Sequence, residues 1–181
     1  GAGVIGIEYA AMFAQLGIDV TVVEKRERPL EFLDREIVDE LMHQMRRTNV
    51  TFRLGEAVAS VEIDTATVKR AVILLESGKR IVADAVLYSV GRIAATERLA
   101  LDAAGLAVGE RGKLVVDEAF RTSVPHIFAA GDVLGAPSLA ATSAEQGRLA
   151  ACHAFGAAAG PMPKHFPYGI YAIPEISMVG A

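Results

Sequence analysis

Three glycines at the start of the sequence have the spacing of a phosphate-binding turn. Gly1, Gly3 and Gly6 follow the pattern G-x-G-x-x-G within GAGVIGIEYA. In such a turn the first glycine permits a tight bend, the second lets backbone approach a pyrophosphate, and the third lets a helix pack closely on a strand. The backbone N–H groups of Val4 and Ile5 would begin that helix and face the anion. The pattern therefore predicts a dinucleotide-binding turn.

An acidic residue stands where this kind of turn requires one. Apolar residues recur at helical spacing over residues 4–16, and Gly17 is suited to end a helix there. Residues 18–24, IDVTVVE, form a β-branched run that is typical of a buried parallel strand. Glu24 closes the run, and its carboxylate can accept hydrogen bonds from the diol of an adenosine ribose. These features favour NAD as the bound nucleotide.

Three basic residues directly after Glu24 point to a different nucleotide. Lys25, Arg26 and Arg28 could attract the 2′-phosphate of NADP, which the Glu24 carboxylate would repel. Each base could equally belong to an ordinary charged loop. The sequence leaves the choice between NAD and NADP open.

The following residues predict the rest of an α/β domain. Residues 34–49 have the pattern of an amphipathic helix, and a short strand follows at 50–54. The period then changes to two, which predicts a β-meander over residues 58–82. A buried strand is expected at 84–90, DAVLYSV, ending in Gly91 and Arg92. Because ligands bind at the carboxyl edge of open α/β sheets, these two residues are candidate ligand contacts, with a structural ion pair as the alternative for Arg92.

The second half of the sequence contains one more candidate site. A turn at Pro125 and a small strand lead into Gly131 and Asp132, whose carboxylate could accept a hydrogen bond from a polyol. An Ala-rich helix is predicted for residues 138–159, and an extended, β-prone segment for 166–179. A short strand is also expected at 112–116.

Composition excludes several classes of protein. The 181 residues are 52% hydrophobic and carry a formal charge of −4, so there is no general electrostatic attraction to nucleic acid or to an anionic membrane. Charged residues and glycines interrupt every apolar stretch before it could span a membrane. Cys152 is the only cysteine, which excludes an internal disulfide and a multi-thiolate metal site. We expect a cytoplasmic protein that binds no metal.

Four separated motifs carry a family resemblance. GAGVIGIEYA, YSVGR, TSVPHIFAAGDV and YAIPEISMVG resemble, in this order, motifs of the flavin-dependent pyridine nucleotide–disulfide oxidoreductases. The resemblance implies a Rossmann-like NAD(P)-binding domain, a parallel sheet plus a β-meander, at residues 1–92. It implies the C-terminal part of an FAD-binding domain at 93–162 and the start of a truncated dimerisation domain at 163–181.

The resemblance also implies roles for single residues. Asp132 matches the aspartate that holds the ribityl chain of the flavin, and Leu139 and Ala140 match the helix start near its pyrimidine edge. Glu8 matches a glutamate close to the contact between flavin and nicotinamide, where the family pairs it with a lysine that this chain does not contain. Lys25 falls where NADP-specific relatives place a base.

The implied activity is hydride transfer between NADPH and NAD through FAD, in an intact homodimer and without a side-chain nucleophile. Local sequence favours this transhydrogenase branch, with dihydrolipoamide dehydrogenase or another flavin disulfide reductase as an alternative. A non-catalytic dinucleotide-binding module is the alternative from another class. Because the hydrophobic strand that should precede Gly1 is not in the sequence, we expect this chain to be part of a longer protein and to be inactive alone.

Overall fold

The computed structural model describes residues 1–66 and 68–180, which form two compact units. The first unit comprises Gly1–Gly91 together with Gly169–Met178. The second comprises Arg92–Tyr168 and the residues that follow Met178.

The first unit begins with a helix and a parallel strand pair. Helix α1 spans Val4–Gln15, strand β1 Val20–Glu24, helix α2 Arg35–Arg47 and strand β2 Val50–Leu54. The two strands pair in parallel, with Val20 opposite Val50 and Glu24 opposite Leu54. Connection through a helix is what a parallel pair requires, and the predicted order of elements is confirmed.

Helix α2 has a capping side chain at its start and basic residues at its end. The Asp34 carboxylate accepts a hydrogen bond from the backbone N–H of Glu36 at 3.1 Å, which satisfies one of the free donors of the first turn. Arg46 and Arg47 lie in the last turn, where positive charge is favourable.

One hydrophobic cluster holds these elements together. It combines the inner faces of both helices and both strands with residues from the segment 170–176. Among the residues with 0% exposure are Ile7 on α1, Val38 and Met45 on α2, and Ile170. The segment 170–176, which is distant in the sequence, therefore completes the core around the glycine turn. At its two ends, strands β6 (Tyr168–Ile170) and β7 (Ile176–Met178) form a two-stranded sheet.

The predicted meander is confirmed as a separate antiparallel sheet. Strands β3 (Val58–Asp64), β4 (Arg70–Leu75) and β5 (Arg80–Ala83) lie in the order β3-β4-β5.

The predicted strand at residues 84–90 is not formed. The segment pairs with no strand among the described residues, and Tyr88 is 81% exposed. A strand exists only where a neighbour supplies its ladder of hydrogen bonds, which sequence periodicity does not reveal. The segment instead lies beside the glycine turn, where the Ser89 hydroxyl donates a hydrogen bond to the Gly1 carbonyl at 3.2 Å.

The second unit is built around helix α3, Ala140–Ala154, which is shorter than the predicted range of 138–159. Its remaining backbone is mostly irregular, with 3-10 turns at Glu110–Gly112 and Asp132–Leu134. The strand expected at 112–116 is absent, and the one before Gly131 is reduced to a single bridge between Arg121 and Phe128.

Substituting Gly6 with Ala should destabilise the fold. A Cβ at Gly6 would lie 2.0 Å from the Gly1 carbonyl oxygen and 2.8 Å from the Ser89 hydroxyl, so the turn must shift. We expect the free energy of unfolding to fall by about 1–3 kcal/mol, the usual range for overpacking. Chemical denaturation measures this change.

Gly147→Ala is the matched control, because Gly147 also lies inside a helix and its added Cβ would meet no atom within 4 Å. It should leave stability unchanged or raise it by up to about 1 kcal/mol. Equal effects of the two substitutions would contradict the close packing at Gly6.

Candidate nucleotide-binding site

The glycine turn is held between β1 and the segment containing Ser89. The Gly1 nitrogen donates to the Val23 carbonyl oxygen at 2.9 Å. A Cβ on Gly1 would lie 2.3 Å from the Ser89 carbonyl oxygen, so backbone occupies the place of a side chain. Gly1 and Gly6 are therefore required by packing within the protein itself.

Gly3 is different, because its outer side is open. A Cβ on Gly3 would meet no protein atom within 4 Å. Gly3 is the N-cap of α1, no side chain caps this helix end, and the first turn holds no acidic residue. The N–H groups of the first turn, from Gly3 through Val4 and Ile5 to Gly6, have no partner inside a helix. Open space beside these donors fits a pyrophosphate.

Glu24 lies at the end of β1 and is fully hydrogen-bonded. It is 7% exposed. Its Oε2 accepts from the Ala2 backbone N–H at 2.7 Å and from Arg26 Nη2 at 3.0 Å. Its Oε1 accepts from the Arg26 backbone N–H at 3.1 Å and from Arg26 Nε at 2.8 Å. The predicted ribose acceptor is thus adjacent to the glycine turn and bonded to it.

These contacts stabilise the ionised carboxylate. Hydrogen bonds from the Arg26 side chain lower the pKa of Glu24 to about 2, against the opposing effect of burial, and the backbone N–H groups of Ala2 and Arg26 add to the shift. Glu24 is therefore negatively charged at neutral pH despite its burial.

The three predicted bases have different surroundings. Besides contacting Glu24, Arg26 places Nη1 3.5 Å from the exposed Glu31 carboxylate. The Nε atom of Arg28 is buried and has no hydrogen-bond partner among the described residues. Lys25 lines an open pocket of about 390 Å³. The other lining residues are Gly55, Glu56, Ala57, Glu76 and Ser77.

Glu8 projects from α1 to the segment that completes the core. Its Oε1 accepts a hydrogen bond from the Tyr171 backbone N–H at 2.9 Å. The residue predicted to lie near the flavin–nicotinamide contact therefore connects α1 to residues 169–178 of the same unit. Gly91, at the end of this unit, has a φ of 118°, which favours glycine.

In the second unit, Asp132 forms an ion pair with Arg92. The distance between Arg92 Nη2 and Asp132 Oδ2 is 2.8 Å, and both side chains are partly exposed. Gly131 before it has a φ of 85°, so a side chain there would strain the turn. Arg92 and Asp132, two predicted ligand contacts that are far apart in the sequence, thus come together.

The sequence interpretation missed Gln146. This residue is 8% exposed, and its side-chain oxygen accepts the Gly131 N–H at 2.7 Å. A glutamine among the alanines of α3 was the available signal, because a buried amide must find a partner. Gln146 holds the turn that presents Asp132.

The start of α3 is also uncapped. Leu139 is its N-cap and makes no side-chain hydrogen bond, and Ala140 begins a first turn without acidic residues. Thr142, in that turn, has a fully buried hydroxyl without a hydrogen-bond partner in the described part of the chain. Free donors at this end suit a ligand that carries acceptor oxygens or nitrogens.

Within residues 1–66 and 68–180, no group of three or more His, Cys, Asp or Glu side chains could hold a metal ion. No helix in these ranges is long and apolar enough to cross a membrane.

A comparison with protein families matches residues 1–147 to the pyridine nucleotide-disulphide oxidoreductases. The chain belongs to this family. It is 55% identical over 181 residues to the soluble pyridine nucleotide transhydrogenase of Mycobacterium bovis (strain BCG / Pasteur 1173P2), covering 100% of this chain and 38% of the relative. It is 45% identical to the protein of that name from Marinomonas sp. (strain MWYL1), covering 99% of this chain and 38% of the relative.

Two solved structures have the same fold. LpdA from Mycobacterium tuberculosis superimposes with a TM-score of 0.89 at 30% identity, covering 100% of this chain and 39% of LpdA. The HOCl-induced flavoprotein disulfide reductase RclA from Escherichia coli gives 0.91 at 32% identity, covering 100% of this chain and 41% of RclA. The predicted Rossmann-like α/β fold is confirmed. The chain spans about 38% of the length of the curated relatives it matches.

Glu24→Gln should remove an acid-sensitive part of the stability. The folded-state pKa lies below the ordinary value of 4.5, so Glu24 stabilises the fold above pH 4.5 and ceases to do so as the pH falls towards 2. The lowered pKa corresponds to up to about 3 kcal/mol. Denaturation as a function of pH should show the variant less stable at pH 7 and approaching the parent protein near pH 2. The exposed Glu31→Gln is the control, and a constant difference across this pH range would contradict the account.

Gln146→Met should loosen the Asp132 turn. The substitution keeps the side-chain length but leaves the Gly131 N–H without its acceptor, which costs about 1–3 kcal/mol for a buried donor. Chemical denaturation measures the loss, and amide exchange at Gly131 should accelerate. Unchanged exchange at Gly131 would show that Gln146 does not hold the turn.

Proposed function

We propose that the protein carrying this sequence is a transhydrogenase that transfers hydride between NADPH and NAD through bound FAD. The structural observation that carries the proposal is the open, uncapped start of α1 at Gly3, directly beside the buried Glu24 carboxylate. This pair of features suits a dinucleotide. The branch of the family follows from the 55% identity to relatives named as transhydrogenases.

In this proposal the first unit binds NAD(P). The N–H groups of Gly3, Val4, Ile5 and Gly6 hold the pyrophosphate, while Gly1 keeps the turn tight enough to present them. Glu24 accepts hydrogen bonds from the ribose diol, and Lys25 and Arg26 bind a 2′-phosphate. Residues 1–92 then constitute the NAD(P)-binding domain.

The second unit contributes to FAD binding. Asp132, presented by Gly131, accepts hydrogen bonds from the ribityl hydroxyls, and the free N–H groups near Leu139 and Ala140 face the pyrimidine edge. Arg92, next to Gly91 in the sequence, pairs with the Asp132 carboxylate. Flavin hydroxyls would replace Arg92 in this contact when the cofactor binds. Residues 93–162 are then the C-terminal part of the FAD-binding domain, and 163–181 begin a dimerisation domain.

The chemistry that a bound flavin supplies is acceptance and donation of a hydride. The protein orients the nicotinamide and excludes water, which requires no nucleophilic side chain. Glu8 borders the nicotinamide region in this proposal, and its contact with Tyr171 fixes the direction of its carboxylate.

The proposal includes the setting in which the protein works. It acts in the cytoplasm as a Si-specific enzyme and a homodimer, with nicotinamide nucleotides as substrates and without nucleic acid or membrane partners. In this proposal residues 1–181 are part of the enzyme and do not complete the reaction alone; they correspond to 38% of the length of the relatives.

A second candidate is a flavoprotein disulfide reductase. The structural similarity to RclA, which is described as one, favours it. Such a reductase needs a pair of redox cysteines, which would have to come from outside these 181 residues, because Cys152 is the only cysteine within them.

One assay separates the two functions. The protein carrying this sequence, supplied with FAD, should transfer hydride from NADPH to thio-NAD⁺, which is followed by absorbance. Lipoamide in place of the nucleotide acceptor should give no turnover. Turnover of lipoamide without reduction of thio-NAD⁺ would reject the transhydrogenase proposal. Nucleotide binding without either activity would favour a non-catalytic dinucleotide-binding module.

Gly3→Ala should weaken nucleotide binding without unfolding the protein. The φ and ψ of Gly3, −76° and −177°, suit alanine, and the added methyl meets no protein atom. The methyl would occupy the approach of the pyrophosphate, so we expect affinity for NAD and NADP to fall at least about tenfold, or 1.4 kcal/mol. Titration calorimetry measures the affinity, with Gly160→Ala, also in open space, as the control. Equal affinities of both variants would place the pyrophosphate elsewhere.

A further inference from the structure

The ribose acceptor of the proposed site is already filled by a neighbouring side chain. A carboxylate offers about four acceptor positions, two on each oxygen. In Glu24 each oxygen accepts one hydrogen bond from backbone and one from the Arg26 guanidinium. No position remains for a ribose hydroxyl while Arg26 stays in place.

The two kinds of donor differ in how easily they leave. The backbone N–H groups of Ala2 and Arg26 are fixed by the glycine turn and the end of β1. The Arg26 side chain is 41% exposed and can move into solvent. If the Arg26 side chain moved away, one acceptor position on Oε1 and one on Oε2 of Glu24 would become free. The two adjacent hydroxyls of a ribose need two such acceptor positions.

The outer side of Arg26 offers a different contact. With Nε and Nη2 on Glu24, the third nitrogen, Nη1, is directed to the Glu31 carboxylate at 3.5 Å, between two exposed side chains. A phosphate could replace Glu31 there, because guanidinium groups bind phosphate through directed, charge-assisted hydrogen bonds. In that arrangement Arg26 remains on Glu24 and separates the two negative groups.

We propose that Arg26 determines nucleotide specificity by occupying the ribose acceptor: nucleotides with a free 2′-hydroxyl displace it from Glu24, and nucleotides with a 2′-phosphate bind to it in place. This inference rests on the proposed function. One carboxylate then serves both nucleotides, directly for NAD and through Arg26 for NADP. Glu24 acts as a positioning residue in the second case.

The pairing of the two residues has an energetic consequence. A free 2′-hydroxyl nucleotide gains two hydrogen bonds to Glu24 but breaks two from Arg26. A 2′-phosphorylated nucleotide breaks only the exposed contact to Glu31, which is weak because solvent screens it. Arg26 therefore weakens the binding of one class of nucleotide and strengthens the other, whereas a merely structural arginine would affect both alike.

The test compares two small probes that differ only at the 2′ position. Adenosine 5′-monophosphate and adenosine 2′,5′-bisphosphate are titrated by calorimetry into the protein carrying this sequence and into Arg26→Ala. We expect the variant to bind the bisphosphate at least tenfold more weakly and the monophosphate about threefold more tightly. NAD⁺ and NADP⁺ should show the same opposite changes.

Arg35→Ala is the control for loss of one positive charge, because Arg35 is exposed on α2 and pairs with the exposed Asp39. It should leave the ratio of the two affinities unchanged. Arg26→Gln serves as a second variant, with a shorter, uncharged polar side chain, should Arg26→Ala lower the stability. NMR titration of Glu24 provides a readout independent of nucleotides, because loss of Arg26 should raise the pKa of its carboxyl.

The outcomes distinguish the inference from the function on which it rests. If the parent protein binds both probes and the ratio of affinities is the same in Arg26→Ala and Arg26→Gln, the inference is wrong and the nucleotide site stands. If the parent binds neither the probes nor the two dinucleotides, both the proposed function and the inference fail.

Discussion

The hydrogen bond between the Ala2 backbone and the Glu24 carboxylate joins the two halves of the proposed site. Ala2 lies inside the glycine turn and Glu24 at the end of β1, so this 2.7 Å contact sets the distance between pyrophosphate donors and ribose acceptor. It also requires Glu24 to stay ionised in a buried position, which the Arg26 guanidinium makes possible. The close packing at Gly1 and Gly6 holds the same turn from its other side.

In each unit, one carboxylate that was predicted to bind a ligand forms an ion pair with an arginine. Arg26 is paired with Glu24, and Arg92 is paired with Asp132. A buried carboxylate such as that of Glu24 needs a counter-charge, since an unpaired buried charge is costly. The two pairs differ in burial: Glu24 is enclosed, whereas Asp132 is partly exposed. If both carboxylates bind ligand hydroxyls as proposed, those hydroxyls must compete more strongly at Glu24 than at Asp132.

Local patterns in the sequence were sufficient for much of the fold. Helical and strand periodicity predicted α1, β1, α2, β2 and the meander, because each depends on residues close together in the sequence. The strand at 84–90 was wrong because strand formation depends on a partner, and apolar alternation does not say whether one is present. The membership of Ile170 in the same core cluster as Ile7 joins distant parts of the sequence and could not be predicted either.

The positions of the glycine turn and of Glu24 at the end of β1 were predicted, but the contacts between them were not. Glycine spacing and the position of Glu24 indicated a nucleotide turn, since both follow from backbone geometry. That Arg26 would bond to Glu24 rather than extend into solvent depends on the direction of the chain after β1. Gln146 was missed because its partner, the Gly131 N–H, belongs to a turn that only the tertiary structure brings near.

The most direct test of the central claim, that the glycine turn binds the nucleotide, is NMR of the protein labelled with ¹⁵N-glycine during titration with NAD⁺. The account predicts saturable shifts of the Gly3 and Gly6 amide signals, with the Gly147 and Gly160 signals unchanged. Saturable binding that leaves Gly3 and Gly6 unshifted would contradict it.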